Sequence, residues 1–299
     1  MDPRMTAALQ QAAIPYREQE PLSRHTTMGV GGPAAVMAFP RTTDELQSAL
    51  QLRCELGVPH RVLGGGSNLV VVDEGLDELV VNTEAMKAVT IREDGVVTAE
   101  AGANLINTVV KCGRAGWRGL ESAVGIPGSV GGAAVMNAGA YGFSISDVLR
   151  EIVVYDAEGR RTQPPEGWRF RYRGSSIPEG AAVASLTVAL QQDDPEALRE
   201  RTRALTRKRV DSQPGGRNAG CVFKNPQQAP AGRLIDQIGL KGTRRGAAVV
   251  SPRHANFVVN EGGASAADVL ALLDDVRERV RAGTGIELEL EVKVWRRRP

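Results

Sequence analysis

The chain has 299 residues, of which 42% are hydrophobic and 24% are charged, so it is long enough for two or three domains of ordinary globular composition. A formal net charge of +2 at pH 7 gives no electrostatic footprint of a nucleic-acid-binding protein. No apolar run is long enough for a membrane span. Three cysteines without CxxC spacing argue against disulfides and zinc, and three histidines that do not cluster argue against a metal site. We therefore expect a metal-free protein of a reducing cytoplasm, with neither a membrane nor a nucleic acid as partner.

Helix and strand signals alternate in the first part of the chain. Capping by Thr42 or Thr43 and apolar residues near helical spacing predict a helix over Thr42–Gly57. A second helix is predicted over Asn104–Ala115 and ends at Gly116. Short β-branched runs predict strands at Arg61–Leu63, Leu69–Val72, Leu79–Asn82, Ala88–Ile91 and Val96–Glu100. The last two runs flank an Asp94-Gly95 turn and should form a hairpin.

The later part of the chain continues this mixture. A turn at Glu158-Gly159 separates the apolar run Ile152–Tyr155 from Thr162. The spacing of apolar residues then predicts three helices and two strands, with the helices at Pro195–Arg209, Gly232–Ile238 and Ala264–Ala282 and the strands at Phe257–Asn260 and Ile286–Trp295. These elements indicate an α+β chain.

Two glycine-rich loops are the most informative segments. Gly125–Gly142 contains six glycines, which allow positive φ and let backbone N–H groups approach a ligand closely, as a phosphate-bearing cofactor requires. Gly64–Asn68 lies between two predicted strands and has the composition of a second anion-binding loop. It is neither a P-loop nor a Rossmann motif, because no Gly-Lys-Ser/Thr follows it and a strand follows where a helix would be needed. Taken alone, it is equally typical of a hairpin turn.

Three further segments carry side chains suited to chemistry. Phe170–Ser176 contains two arginines and a tyrosine that could bind an anionic substrate. The alternative is that the segment is a strand end whose arginines are solvated. Cys221, close to Lys224 and Asn225, is either an activated thiol or an inert core residue. Period-two spacing puts Glu287, Glu289 and Glu291 on one face of a strand, which is either the wet side of a sheet or the wall of a cleft.

Taken together, these segments resemble the UDP-N-acetylenolpyruvoylglucosamine reductase family, flavoenzymes that complete UDP-N-acetylmuramate for bacterial peptidoglycan. The resemblance covers nearly the whole chain. Its segments are His25–Pro33, Gly64–Asn68, Gly125–Gly142, Tyr172-Arg173, Ala219–Pro226, Leu234–Gly242, His254–Phe257 and Leu290–Val292. It implies an FAD-binding fold of the vanillyl-alcohol oxidase-like (PCMH-type) flavoproteins in residues 1–195. A C-terminal α/β substrate-binding domain would follow in residues 196–299, with the final strand returning to the active site.

The resemblance also implies cofactors and residue roles. NADPH gives a hydride to N5 of a non-covalently bound FAD, and the reduced flavin passes it to C3 of the enolpyruvyl group, while an acid protonates C2. The glycine loops map onto the pyrophosphate and the flavin through Gly64, Gly65, Gly66, Ser67, Asn68, Gly125, Ser129, Gly131, Gly132, Asn137, Ala138 and Gly139. No obligate protein partner is implied.

The catalytic roles follow from the same resemblance. Arg173 stabilises the enolate charge on the substrate carboxylate, and Glu291 acts beside it as an acid or as an orienter. Cys221 stands where the family usually has a serine as proton donor, and a thiol with a reference pKa of about 8.5 is a better acid than an alcohol. The UDP-sugar would be held by Tyr172, Lys224 and Asn225.

Other departures separate this chain from the family pattern. Gly174 stands where an aspartate is usual, the last strand ends at Trp295 without the usual glycine, and the inserted substrate loop of the longer type is lacking. Two other functions stay open from the residues: a sugar or alcohol oxidase of the same fold, and a non-catalytic flavin-binding protein. Such oxidases often tether flavin near the first glycine loop, where His60 is the nearest histidine in sequence.

Overall fold

The computed structural model describes residues 3–156 and 159–298. The chain divides into two compact units, and each collects separate stretches of sequence. The first unit contains Met1–Gln19, Ala35–Gly65 and Asp77–Lys208, and the second contains Glu20–Ala34, Gly66–Leu76 and Arg209–Pro299. The assignment of cofactor and substrate roles to residues 1–195 and 196–299 stays a prediction.

Seven α-helices lie within the described part of the chain. They are α1 (Pro3–Gln11), α2 (Thr43–Glu55), α3 (Leu105–Arg114), α4 (Val130–Val135), α5 (Pro195–Ser212), α6 (Ala231–Gln237) and α7 (Ala266–Thr284). The five predicted helices are confirmed within a few residues, and α1 and α4 were not predicted. Local capping explains the agreement: Thr42 accepts a hydrogen bond from the Glu45 N–H, and a left-handed Gly285 ends α7.

The strands are short and form several sheets. In chain order they are β1 (Tyr16–Pro21), β2 (Pro33–Ala38), β3 (His60–Leu63), β4 (Leu69–Val71), β5 (Leu76–Asn82), β6 (Val89–Ile91), β7 (Val96–Glu100), β8 (Trp117–Arg118), β9 (Gly139–Ala140), β10 (Phe143–Ser144), β11 (Leu149–Asp156), β12 (Gly159–Gln163), β13 (Ala182–Ala189), β14 (Gln191–Gln192), β15 (Arg217–Cys221), β16 (Arg244–Arg245), β17 (Ala248–Val250), β18 (Phe257–Asn260) and β19 (Lys293–Trp295).

The first unit contains two larger sheets. A five-stranded sheet has the order β12-β11-β13-β7-β6, and most residues of a four-stranded sheet ordered β1-β2-β5-β3 belong to the same unit. β6 pairs antiparallel with β7, which confirms the hairpin at Asp94-Gly95. Of the other predicted turn, Glu158 lies outside the described residues, although β11 and β12 pair antiparallel on either side of it.

The second unit is built on a four-stranded sheet ordered β15-β18-β17-β16. One core joins all of its sequence stretches, since buried Met28, Val70, Val258 and Leu272 belong to the same apolar cluster. The strand pair β4–β19 is parallel, with Val70 opposite Val294. This unit therefore depends on residues from both ends of the chain.

One sequence-based expectation is corrected, and one alternative is excluded. The run Ile286–Trp295 does not form one strand, because only its Lys293–Trp295 part pairs in a ladder with β4. The loop Gly64–Asn68 is not a hairpin turn, because β3 before it pairs with β5 and β4 after it pairs with β19.

Among the described helices, none has the length and apolar character needed to cross a bilayer.

Candidate functional site

The two predicted glycine loops touch inside the first unit. The Gly65 N–H donates to Ser129 Oγ at 3.2 Å, across 64 residues of sequence. A Cβ on Gly64 would lie 2.4 Å from the same oxygen, and one on Gly65 would lie 2.7 Å from the Gly128 Cα. At Gly65 glycine is therefore required for one backbone to approach another, whereas a side chain at Gly64 would displace the Ser129 hydroxyl.

The glycines at the start of α4 differ in their surroundings. Ser129 caps the helix by accepting from the Gly132 N–H at 3.3 Å. A Cβ on Gly131 would lie 2.7 Å from the buried Ala101 Cβ, whereas one on Gly132 would meet only Ser129 Oγ, at 3.4 Å. Contact with the protein therefore accounts for glycine at 131 but leaves space at 132.

Unsatisfied backbone donors accompany these loops. Within residues 3–156 and 159–298, the N–H groups of Gly128 and Ser129 have no hydrogen-bond acceptor, although Ser129 is only 6% exposed. The same holds in the second unit for the N–H groups of Gly66, which is buried, and Asn68. Of these residues Ser129 and Gly66 are buried, and because buried amides without partners are costly, each fits a bound polar group such as a phosphate oxygen.

Arg173 lies in a tight turn of the first unit. The Arg171 N–H donates to the Gly174 carbonyl at 2.9 Å, and the Gly174 N–H donates back at 3.2 Å, so Tyr172 and Arg173 occupy the two central positions. Arg173 has a φ of +56°, a left-handed conformation that favours glycine. A non-glycine residue held there is a strain of the kind found at functional sites.

The glycine-rich segment supports this turn directly. The Asn137 side chain, itself on a residue with φ +41°, donates to the Arg171 carbonyl at 3.2 Å. Arg173 Nη1 donates to the Gly139 carbonyl at 3.1 Å, and its guanidinium carbon lies 5.0 Å from the centre of the Tyr172 ring. Four predicted site residues, Asn137, Gly139, Tyr172 and Arg173, are thereby brought together, and Tyr172 remains 54% exposed.

Cys221 lies at the end of β15 in the second unit. Between Asn218 and Cys221 the pairing with β18 shifts by one residue, which is a β-bulge. Gly220 has a φ of +75° and donates its N–H to Asn218 Oδ1 at 3.0 Å. The bulge thus determines how the half-buried thiol of Cys221, which is not in a disulfide, is presented.

The residues after Cys221 run beside the glutamate-rich segment. The Glu291 N–H donates to the Val222 carbonyl at 2.9 Å, and the Lys224 N–H donates to the Glu289 carbonyl at 2.8 Å. Asn68 Nδ2 donates to the Glu291 carbonyl at 3.1 Å. Cys221, Glu291 and Lys224, which are separate in sequence, are therefore on adjoining backbone segments.

The side chains of the predicted substrate-binding residues have partners in the protein. Lys224 forms an ion pair with the exposed carboxylate of Glu289. Asn225 Oδ1 accepts from the Ala231 N–H at 3.0 Å, at the start of α6. Glu287 is exposed as well, while Glu291 is half-buried, so the three glutamates are not equivalent despite their spacing.

Asn256 was missed as a site residue by sequence reasoning. Its amide, 1% exposed, accepts from the Phe223 N–H at 3.0 Å and donates to the Phe223 carbonyl at 2.8 Å, which holds the segment after Cys221 in place. Its own N–H donates to His254 Nδ1 at 3.2 Å, and burial lowers the pKa of that imidazole. A signal was present, since both residues belong to the His254–Phe257 segment.

His60, the histidine nearest in sequence to the first glycine loop, is 6% exposed and its Nε2 lies 2.7 Å from the Gly180 carbonyl oxygen. This hydrogen bond engages the ring nitrogen inside the first unit. The structure therefore gives no support to His60 as an attachment point for flavin, of the kind that the oxidase alternative often involves.

Comparison with known proteins defines the class first. Residues 33–163 match the family model described as an FAD binding domain, so the chain is an FAD-dependent flavoprotein. Residues 212–295 match the model of the UDP-N-acetylenolpyruvoylglucosamine reductase C-terminal domain.

The relatives identify the family. The chain is 45% identical over 278 residues to the UDP-N-acetylenolpyruvoylglucosamine reductase of Moorella thermoacetica, with 92% of each chain covered. It is 45% identical over 286 residues to that of Heliobacterium modesticaldum, covering 93% of this chain and 90% of the relative. The crystal structure of the Thermus caldophilus reductase superposes with a TM-score of 0.82 at 39% identity, covering 95% of this chain and 99% of the other.

The chain belongs to the UDP-N-acetylenolpyruvoylglucosamine reductase family. It is an oxidoreductase of peptidoglycan precursor synthesis, and the predicted fold class, with an FAD-binding part followed by a C-terminal α/β part, is confirmed. The comparisons do not assign roles to individual residues.

Proposed function

We propose that this protein uses NADPH to reduce UDP-N-acetylenolpyruvoylglucosamine to UDP-N-acetylmuramate in the cytoplasm. The observation that supports the proposal is the backbone pairing of the segment after Cys221 with the segment ending at Glu291, since it places a cysteine and a glutamate on adjoining segments in a chain that belongs to this reductase family. The reaction needs two nucleotide substrates and no nucleic-acid, membrane or obligate protein partner.

The backbone of the glycine loops suits the cofactor. FAD, when bound, supplies the hydride carrier between NADPH and C3 of the enolpyruvyl group. Among the described residues, the unpaired N–H groups of Gly128 and Ser129 in the first unit would bind phosphate oxygens, and those of Gly66 and Asn68 in the second unit are donors of the same kind. The remaining loop residues, Gly64, Gly65, Ser67, Gly125, Gly131, Gly132, Asn137, Ala138 and Gly139, would shape the surrounding backbone.

Arg173 would stabilise the negative charge that develops on the substrate carboxylate. Its left-handed turn and the bond from Nη1 to the Gly139 carbonyl fix the guanidinium before substrate arrives. A donor fixed in advance stabilises a developing anion more effectively than one that must reorganise.

Cys221 would donate the proton to C2. A thiol is intrinsically a better acid than the serine alcohol usual at this position, which suits the role of proton donor. Glu291, whose backbone bonds to Val222, would act beside it as an acid or as an orienter of the enolate.

Tyr172, Lys224 and Asn225 would hold the UDP-sugar. Lys224 is suited to a diphosphate because its ammonium is paired only at the surface, with a glutamate that is itself exposed, and such pairs are weak. An anionic substrate can therefore replace Glu289 as its partner at small cost.

Anaerobic half-reactions test the proposal. NADPH should bleach the flavin absorbance of the purified holoenzyme, and adding UDP-N-acetylenolpyruvoylglucosamine should restore it. Cys221→Ala should keep reduction by NADPH within about twofold and slow reoxidation by on the order of 100-fold, the lower end of the usual range for general acid catalysis. Cys221→Ser should stay active, and Cys54→Ala, a change at an exposed cysteine, should match the wild type.

Three results would contradict the proposal. Equal slowing of both half-reactions by Cys221→Ala would make the thiol structural. Reduced flavin that persists after the UDP-sugar is added would favour a non-catalytic flavoprotein. Flavin that stays attached after denaturation would favour an oxidase.

A further inference from the structure

We infer that Thr27 is a positioning residue for Cys221, acting through a hydrogen bond from its hydroxyl to the strand that carries the thiol. The inference rests on the proposed function for its effect on the reaction. It concerns the second unit alone, to which Thr27, Asn218 and Cys221 all belong.

Thr27 joins the first glycine loop to β15. Its N–H donates to the Gly66 carbonyl at 3.1 Å, and its hydroxyl donates to the Asn218 carbonyl at 2.7 Å. The two contacts are 39 and 191 residues away in sequence, respectively. One half-buried residue therefore connects a proposed cofactor loop with the strand of the proposed proton donor.

The contact with Gly66 leaves little freedom. Gly66 has a φ of +59°, and a Cβ there would lie 1.9 Å from the His25 carbonyl oxygen and 3.0 Å from the Thr26 Cα. The backbone at His25–Thr26 is thus packed directly against the glycine loop. Because this end is fixed, Thr27 provides a defined anchor for its other partner.

The position of Asn218 is passed on to Cys221 by the bulge. The Asn218 carbonyl accepts the hydrogen bond from the Thr27 hydroxyl, while Asn218 Oδ1 accepts a hydrogen bond from the Gly220 N–H at 3.0 Å. Gly220, at φ +75°, is the residue before Cys221. Bulges re-aim side chains locally, so a shift of Asn218 changes where the Cys221 thiol points.

The adjacent Thr26 provides a matched control. Its hydroxyl also donates to a carbonyl, that of Val30 at 3.0 Å, and Thr26 is 8% exposed. Thr26→Val removes one hydroxyl bond from the same segment without touching Asn218. Thr27→Val removes the bond to Asn218 and keeps the N–H bond to Gly66, and Thr27→Ser restores the hydroxyl.

The test uses the holoenzyme in two assays. In anaerobic half-reactions, Thr27→Val should slow reoxidation by the UDP-sugar about fivefold, the effect of one ordinary hydrogen bond, while reduction by NADPH stays unchanged. In a Cys54→Ser background, Thr27→Val should change the rate of Cys221 alkylation by iodoacetamide about fivefold as well. Thr27→Ser and Thr26→Val should match the wild type in both assays.

The assays separate the inference from the proposed function. If Cys221→Ala slows reoxidation but Thr27→Val does not, the positioning role is refuted. If Thr26→Val reproduces both effects of Thr27→Val, those effects belong to the whole segment, which also refutes it. If Cys221→Ala leaves reoxidation intact, the proposal that Cys221 donates the proton fails. The positioning of the thiol is tested independently of that result, because an unchanged alkylation rate of Cys221 in Thr27→Val would refute it.

Discussion

Gly131 and Gly132 are neighbours in α4, yet alanine at the two positions should have opposite consequences for folding and for cofactor binding. Both are helical without positive φ, so alanine gains up to about 1 kcal/mol of helix propensity at each. At Gly131 the new Cβ would lie 2.7 Å from the Ala101 Cβ and 3.1 Å from its Cα, which a rotamer change cannot relieve.

The magnitudes follow from these contacts. Overpacking a buried position costs about 1–3 kcal/mol, so Gly131→Ala should lose roughly 1 kcal/mol of unfolding free energy after the gain in propensity. At Gly132 the only contact is with Ser129 Oγ at 3.4 Å, an ordinary van der Waals distance. Gly132→Ala should therefore leave the apoprotein at least as stable as the wild type, while its methyl group weakens FAD binding by about tenfold or more, equivalent to about 1.4 kcal/mol.

Two measurements on FAD-stripped protein check this. Urea unfolding compares the free energies of the two variants with the wild type, and flavin fluorescence titration gives their Kd for FAD. Gly132→Ala that binds FAD as the wild type does would show that this glycine is not at the cofactor. Gly131→Ala that is as stable as the wild type would refute the packing argument.

Further predictions concern individual side chains. Arg173→Lys should keep flavin reduction but slow reoxidation by on the order of 100-fold in stopped-flow absorbance, because the planar fork is lost; wild-type rates would remove Arg173 from the mechanism. Burial lowers the pKa of His254, so the native state binds fewer protons than the unfolded chain, and stability should fall as the pH drops below about 6.5. Urea midpoints from pH 7.5 to 5 should show a weaker decline in His254→Gln, and an equal decline would contradict this assignment. Burial raises the pKa of the Cys112 thiol to about 11, so iodoacetamide at pH 8 should label exposed Cys54 but not Cys112 until the protein is denatured. Mass spectrometry measures the labelling, and rapid labelling of Cys112 in the native protein would contradict its burial.

Local signals predicted the helices well because the determinants lie within a few residues. The caps at Thr42, Asn104 and Ser265 each accept from the N–H three residues ahead, and this spacing is visible in the sequence. Helix α4 was missed because its glycines disfavour a helix, and it is stabilised instead by the Ser129 cap and by backbone bonds such as that from Gly131 to Ala101.

Strand pairing was predicted less well because partners are distant. In Ile286–Trp295 the alternation of burial was right, since Leu288 and Val292 are buried while Glu287 and Glu289 are exposed. The ladder covers only the last part, because β4 provides a partner for three residues there. Periodicity specifies which face is apolar, but it does not specify which strand lies alongside.

For the candidate site, too, the sequence predicted local features better than features that depend on distant partners. Glycine density indicated close backbone approach, yet it did not distinguish Gly131, which is packed against Ala101, from Gly132, which has space. The role of Asn256 depends on a partner 33 residues away, and that of Thr27 on one 191 residues away. Both residues lie in segments that carry the family resemblance, but no short motif specifies such long-range hydrogen bonds, so their individual roles required the structure.

The interleaved arrangement of the chain has a consequence for its synthesis. Met28 and Val70 leave the ribosome long before Val258 and Leu272, the residues with which they share a core. The second unit thus has no complete apolar interior until translation is nearly finished, whereas much of the first is available by Lys208. Nascent chains stalled before α7 should therefore expose early apolar segments and attract chaperones, and neither unit can be expressed intact as one uninterrupted fragment.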